Sequence, residues 1–226
     1  MAPHILDNPA WAALTGPHAH LAEIRGGVRR YRPDVSVFLG ISGSPGPDEW
    51  AGIASFAGPD GLITLTIDDP APDGWETVQN IEGVQLDGSA VWGEPFADAE
   101  VLGPDDVPDM LDLVARTEPG PFLPRTIEMG TYLGVRHEGK LIAMAGERLH
   151  PPGWTEISAV CTDASFRGQG LATRLVLAVA AGIRARGETP FMHASASNVN
   201  AIRLYEKLGF TLRTRRLFRQ VRVPGR

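Results

Sequence analysis

Residues 167–172 read Arg-Gly-Gln-Gly-Leu-Ala and join two runs of different character. Before them, Thr155 to Thr162 reads as a strand; after them, Leu171, Leu175, Val179 and Ile183 recur at helical spacing until Gly187, a natural C-terminal stop. A helix N-terminus has backbone amides without intrahelical partners and about half a unit of positive charge from the helix dipole. Glycines at 168 and 170 remove the side chains that would screen those amides, and Arg167 adds a fixed cation suited to phosphate oxygens. The ligand implied is a pyrophosphate. Taken alone, a two-glycine turn also fits a tight strand-to-helix connection. A Walker loop needs Gly-Lys-Ser/Thr, whereas Gly170 is followed by Leu171 and Ala172; a dinucleotide fingerprint needs a third glycine and an acid after the next strand, and neither is present.

Working outward, Thr131 to Arg136 and Leu141 to Leu149 flank His137-Glu138-Gly139-Lys140, a hairpin pattern. A short strand at Glu100 to Leu102 precedes a helix from Pro104 to Ala115, with Val107, Met110, Leu111 and Val114 on one face. Downstream of the glycine turn come a strand at Phe191 to Ser195, a helix from Asn198 to Leu208 and a closing strand. Residues 1–97 read as a smaller α/β lobe without a catalytic motif: a helix around Pro9 to Leu14, a strand near Val35 to Ile41, a helix after Pro47 and a strand at Leu62 to Ile67. The domain division expected is thus 1–97 and 98–226.

Composition narrows the class. The 226 residues are 43% hydrophobic and 21% charged, ordinary for a globular protein. The single Cys161 permits no internal disulfide, and no Cys/His group has zinc-site spacing, so no metal is expected. No apolar run approaches the ~20 residues of a membrane span, and no basic-then-apolar leader opens the chain, so a cytoplasmic protein without membrane contact is expected. The net charge of −6 divides unevenly: four arginines against fifteen acids in residues 1–100, seventeen basic against twelve acidic residues thereafter. The second part therefore favours an anion. Six arginines and no acid lie from Arg213 onward, but Leu212, Leu217, Phe218 and Val221 interleave with them, as in a solvated edge strand; an acidic chain without a recognised motif does not fit nucleic acid.

With Arg167, Gly170 and Ala172, then Asn198, Ala201, Leu204, Tyr205, Glu206, Lys207, Gly209 and Phe210 in order, residues 100–226 resemble the GNAT superfamily of N-acyltransferases, which use acyl-coenzyme A. The acidic first half followed by such a domain is similar to the branch that includes glycine N-acyltransferases. The resemblance implies an α/β fold with a mixed, mostly antiparallel sheet flanked by helices. It also implies a strand that splays from its neighbour before the loop, so that backbone at Val160, Cys161 and Thr162 pairs with the pantetheine arm. The pyrophosphate would sit on Gly168, Gln169, Gly170, Leu171 and Ala172 beside Arg167, with Asn198 near the pantetheine. Acetyl-CoA would be the cosubstrate, without a metal. The acceptor would be a small-molecule or peptide amine, and a homodimer is compatible with the family.

The chemistry needs a deprotonated amine, donors for the developing oxyanion and an acid for the departing thiolate. The resemblance implies Tyr205 as that acid; it also lies on one helical stripe with Ala201, Leu204 and Leu208, which suits simple packing. For the base, strand alternation puts Glu156 on the face of Ser158 and Val160, where it could take the proton through a water. Glu147, His193 and water itself are the other candidates, and Glu128 is placed to contact substrate. Cys161 reads as an apolar filler rather than a nucleophile. The activity expected is acetyl transfer to a primary amine by direct attack in a ternary complex. Conjugation of amino acids or xenobiotics with a bulkier acyl-CoA, and a non-catalytic CoA-binding module, are the alternatives.

Overall fold

The computed structural model of the protein describes residues 4–67 and 69–225. In chain order its elements are α1 (Pro9–Leu14), β1 (Ala22–Arg25), β2 (Val28–Tyr31), β3 (Leu39–Ile41), α2 (Pro47–Ala57), β4 (Leu62–Leu65), β5 (Glu76–Asp87), β6 (Glu100–Leu102), α3 (Val107–Thr117), β7 (Tyr132–His137), β8 (Lys140–Glu147), β9 (Trp154–Thr162), α4 (Leu171–Ala185), β10 (Thr189–Ser195), α5 (Val199–Lys207) and β11 (Thr211–Arg222). β1 to β3 form a small antiparallel sheet, and the others an eight-stranded sheet in the order β4-β11-β5-β10-β9-β8-β7-β6. β9 and β10 run parallel; the remaining neighbours in that sheet are antiparallel. This is the mixed, mostly antiparallel α/β architecture expected.

Alternation along β8 sends its side chains to two cores. Ala143 and Ala145 face one that includes Leu175, Val176, Val179 and Ile183 of α4, together with Tyr205 and Phe210. Met144 faces the other, with Met110 and Leu113 of α3 and with Phe122, Tyr132 and Cys161. Helices therefore cover both faces, as a sheet with two apolar sides requires. The helix starts follow the expected chemistry. Pro47 and Pro104 occupy first-turn positions, and the backbone N–H groups of Gly46 and Gly103 donate to Glu49 (2.9 Å) and Asp106 (2.8 Å).

Three features depart from the sequence reading. The hairpin of β1 and β2 and the twelve-residue β5 had no counterpart in it. β5 inserts between β10 and β11, and β4 flanks β11 on the other side. Two strands from residues 1–97 thus share a sheet with residues 98–226. β11, expected at an edge, lies inside the sheet for the same reason, and its arginines hold other parts of the chain. Arg213 donates to Gln85 Oε1 (2.7 Å) and Asp7 (2.5 Å), and Arg216 to the Leu6 carbonyl (3.0 Å). The N-terminal segment is thereby tied beneath the large sheet, where Leu6, Leu14, Leu21, Tyr31 and Phe38 pack with Leu149 and Phe191.

Candidate active site

β9 and β10 pair only from Thr189 opposite Trp154 to Met192 opposite Ile157. Beyond that point β9 continues through Thr162 while β10 stays with β5 as far as Ser195 opposite Gly83. The two strands therefore part, and backbone on the facing edges is left without a neighbouring strand. A bulge marks the opening: between Met144–Cys161 and Gly146–Ser158, Ala159 and Val160 oppose only Ala145. Ala159 has φ 52°, a left-handed conformation that an alanine adopts at a cost of roughly 1–2 kcal/mol. Such strain needs its surroundings to hold it, and bulges of this kind re-aim backbone groups.

At the far end of β9, Asp163 caps a short turn by accepting from Ser165 N (3.0 Å), and the chain reaches Gly168 (φ 80°) and Gly170 (φ 76°). A Cβ at either glycine would meet nothing within 4 Å; glycine serves the left-handed backbone and an open approach, not packing. Gly170 caps α4 without any side-chain acceptor. Arg174 N donates to the Gly170 carbonyl (3.1 Å), but the amides of residues 168–173 find no acceptor among the described residues. They point outward as an anion cradle. Arg167 is exposed and its Nε donates to the Thr162 carbonyl (3.3 Å). Arg174, not anticipated from sequence, adds a second cation: it lies 4.4 Å over the Phe96 ring and donates to the Gln169 carbonyl (3.3 Å). Phe96 is delivered by the segment after β5, where Glu94 N donates to the Leu177 carbonyl in mid-α4 (3.1 Å).

Val160 and Thr162 are half-buried on the parted stretch of β9, and Cys161 between them is buried. Burial pushes the Cys161 thiol up to about 11, so it is a packed thiol rather than a thiolate. Asn198 caps α5 by accepting from Ala201 N (3.1 Å), which uses its side-chain oxygen; the side chain is exposed and its Nδ2 donates to no described residue. Tyr205 is 7% exposed and meets Phe210 edge-on at 6.2 Å between ring centroids. Burial, with Cys161 nearby, raises its phenol to about 12, and its hydroxyl has no hydrogen bond to a described residue. It is therefore a protonated group at neutral pH.

Glu156 is fully buried, and both its oxygens are engaged. Arg148 donates to Oε2 through Nε (2.9 Å) and to Oε1 through Nη2 (2.6 Å), and His193 Nδ1 meets Oε1 at 2.8 Å. Burial alone would raise its pKa, but the Arg148 charge and the hydrogen bonds outweigh it and hold the carboxyl down to about 2. A carboxylate so saturated is a poor proton acceptor, which corrects the expectation that Glu156 collects the amine's proton. The reason is tertiary: Arg148 reaches it across the β8–β9 turn, and His193 across the parallel pair. His193 in turn meets Gln85 Nε2 at 3.0 Å; because that amide nitrogen is a donor, the ring accepts at Nε2 and donates from Nδ1. Glu147 is likewise tied, to Arg186 (2.7 Å) and Thr131 N (3.1 Å). Glu128 stands apart in a half-exposed cluster with Arg125 (2.5 Å) and Arg32 (3.2 Å), where it fastens the loop before β7 to the N-terminal segment. Arg148, Gln85 and Arg174 had no motif to announce them.

A cradle of free amides beside an opening between two parallel strands defines an acyl-CoA-type transferase scaffold. The family model described as FR47-like protein matches residues 132–219. A crystal structure of a GNAT-family protein from Novosphingobium aromaticivorans, assigned as an acetyltransferase, is 38% identical and covers 97% of this chain and 98% of its own, with a TM-score of 0.88. A GCN5-related N-acetyltransferase from Kribbella flavida, 16% identical over 96% of both chains with a TM-score of 0.57, shares the fold. A mycothiol acetyltransferase from Thermomonospora curvata is 39% identical over 83 residues, which are 36% of this chain and 28% of the relative. One from Streptosporangium roseum is 42% identical over 76 residues, 33% of this chain and 22% of the relative. These matches span less than a third of the curated relatives' length. The chain belongs to the GNAT family.

Proposed function

We propose that this protein transfers an acetyl group from acetyl-CoA to a primary amine, small-molecule or peptide, by direct attack in a ternary complex in the cytoplasm. One observation carries the reading: the amides of residues 168–173 stand without acceptors next to the parting of β9 and β10. In this reading the cradle takes the pyrophosphate with Arg167 and Arg174 alongside, and backbone of Val160, Cys161 and Thr162 takes the pantetheine arm. Asn198 borders that arm with its amide nitrogen.

The amine nitrogen attacks the thioester carbon, the C–S bond breaks, and Tyr205 gives its proton to the leaving sulfur and recovers one from solvent. A phenol raised to about 12 stays protonated throughout the working range and supplies that proton at the moment of cleavage. The proton lost by the amine leaves through water. Glu156 then acts as a positioning residue: its fixed charge, with Arg148, orients His193 at the first unpaired residue of β10. Acetyl is favoured over a bulkier group by the relatives named as acetyltransferases.

The test is thermal stabilisation by acetyl-CoA followed by thiol release with phenethylamine, putrescine, glycine and an alanyl peptide. Saturable stabilisation with amine-dependent thiol release is expected. Absence of stabilisation at millimolar acetyl-CoA refutes the reading, and stabilisation without release from any amine leaves a CoA-binding module instead.

A further inference from the structure

Outside the groups already given roles, one side chain stands out. Tyr132, on β7, is 1% exposed, and its hydroxyl is buried with no hydrogen-bond partner. An unsatisfied buried hydroxyl costs about 1–3 kcal/mol, so it calls for an occupant of the space it faces. The strand register says where that space lies. Tyr132 pairs with Gly146 on β8, and Gly146 pairs with Ser158 on β9. These three residues form one cross-strand row, and Ser158 is the first residue of β9 beyond its last pair with β10. A Cβ at Gly146 would lie 2.2 Å from Tyr132 Cδ1, so the ring occupies the place of the missing side chain and lies across β8. Its hydroxyl is thereby carried toward β9, to the mouth of the opening. Phe122 closes over the ring from outside at 5.4 Å, edge-on, which leaves the interior as the direction the hydroxyl faces.

We infer that Tyr132 is a catalytic residue: its hydroxyl donates a hydrogen bond to the acyl oxygen of the thioester as negative charge develops there. The inference rests on the acyl-transfer reading above. The neighbouring row, Arg148 and Glu156, lies on the same face and is internally neutralised by its ion pair, so the phenol is the donor in that neighbourhood with no acceptor of its own. Burial also lifts the Tyr132 phenol well above its ordinary range, so it remains a donor at every working pH. A preorganised donor in a site without water is worth the most when the oxyanion forms and costs no reorganisation. This role differs from that of Tyr205, which gives its proton away.

The experiment is Tyr132→Phe, read by melting temperature, acetyl-CoA binding and steady-state kinetics with the best amine of the panel between pH 6.5 and 9. Because the folded protein has no hydrogen bond to lose there, the variant should melt at or above the wild-type temperature and bind acetyl-CoA within twofold. Its kcat should fall about 100-fold, the loss typical of one oxyanion donor, by the same factor at every pH. An unchanged kcat overturns the inference. So does a marked drop in melting temperature, which would mean that the hydroxyl is bonded within the fold, or a factor that varies with pH, which would mean proton transfer. A wild type that acetylates amines while Tyr132→Phe matches it removes this inference alone; a wild type that neither binds acetyl-CoA nor releases thiol removes the underlying reading as well.

Discussion

Glu156→Gln separates two roles for the buried carboxylate. The substitution keeps the shape but removes the charge that balances Arg148, whose side chain is 10% exposed and donates twice to Glu156. Breaking a buried pair from one side leaves an uncompensated charge and costs about 3–5 kcal/mol. At about 2–4 °C per kcal/mol for a chain of this size, the melting temperature should fall by about 6–20 °C. The lost carboxylate also changes the acid limb of stability. With a folded pKa of about 2, below the ordinary 4.5, Glu156 stabilises fully above about 4.5, and that stabilisation is lost as pH falls toward 2. The variant should lack this component. Replacing both partners, Arg148→Met with Glu156→Gln, should recover much of the lost stability because no bare charge remains. The assay is chemical denaturation of the three proteins at pH 7.5 and 4, with kcat measured against pH. Glu156→Gln melting within 2 °C of wild type, together with loss of the basic limb of the kcat profile, would refute the positioning role and restore Glu156 as the base.

Tyr205→Phe should lower kcat by about 10²–10³, toward the range of general acid catalysis, with acetyl-CoA binding within twofold; unchanged turnover across pH would dismiss it as the acid. Gly170→Ala places a Cβ in open space at φ 76°, so calorimetry should find the free protein weaker by only about 1–2 kcal/mol, with stabilisation by acetyl-CoA reduced at least about tenfold in apparent affinity. Burial, reinforced by His150, lowers His18 to about 3, so the folded state stays neutral while the unfolded chain takes up a proton below about 6.5. Stability should therefore decline as pH falls below about 6.5, by up to about 1.4 kcal/mol per unit from this group, and His18→Asn should flatten that part of a denaturation series at pH 7.5, 6.5 and 5.5.

The glycine turn was legible because its meaning is local. Two residues at positive φ, an uncapped helix start and a preceding strand lie within twenty residues of chain, and the helix, the hairpin around residues 137–140 and the cap at Asn198 follow from the same short-range rules. β5 was not legible. Its first seven residues are exposed, and Val78, Ile81, Val84 and Leu86 keep neither a strict two-residue nor a helical period, because the strand leaves the core as it passes β10. Nor could the sequence show that Glu156 is saturated. Alternation did place it on the face of Ser158, but Arg148 and His193 come to it across two different strand pairs.

By itself, the sequence determined the family, the anion-binding turn and the candidate acid, since each depends on residue identity over a few turns of helix or one strand. The folded chain alone decided which carboxylates are neutralised, where β9 and β10 part, and that Tyr132 reaches over Gly146 toward the gap. Those depend on register between strands far apart in the chain. A one-residue slip would turn each side chain to the opposite face, and no local pattern encodes that choice.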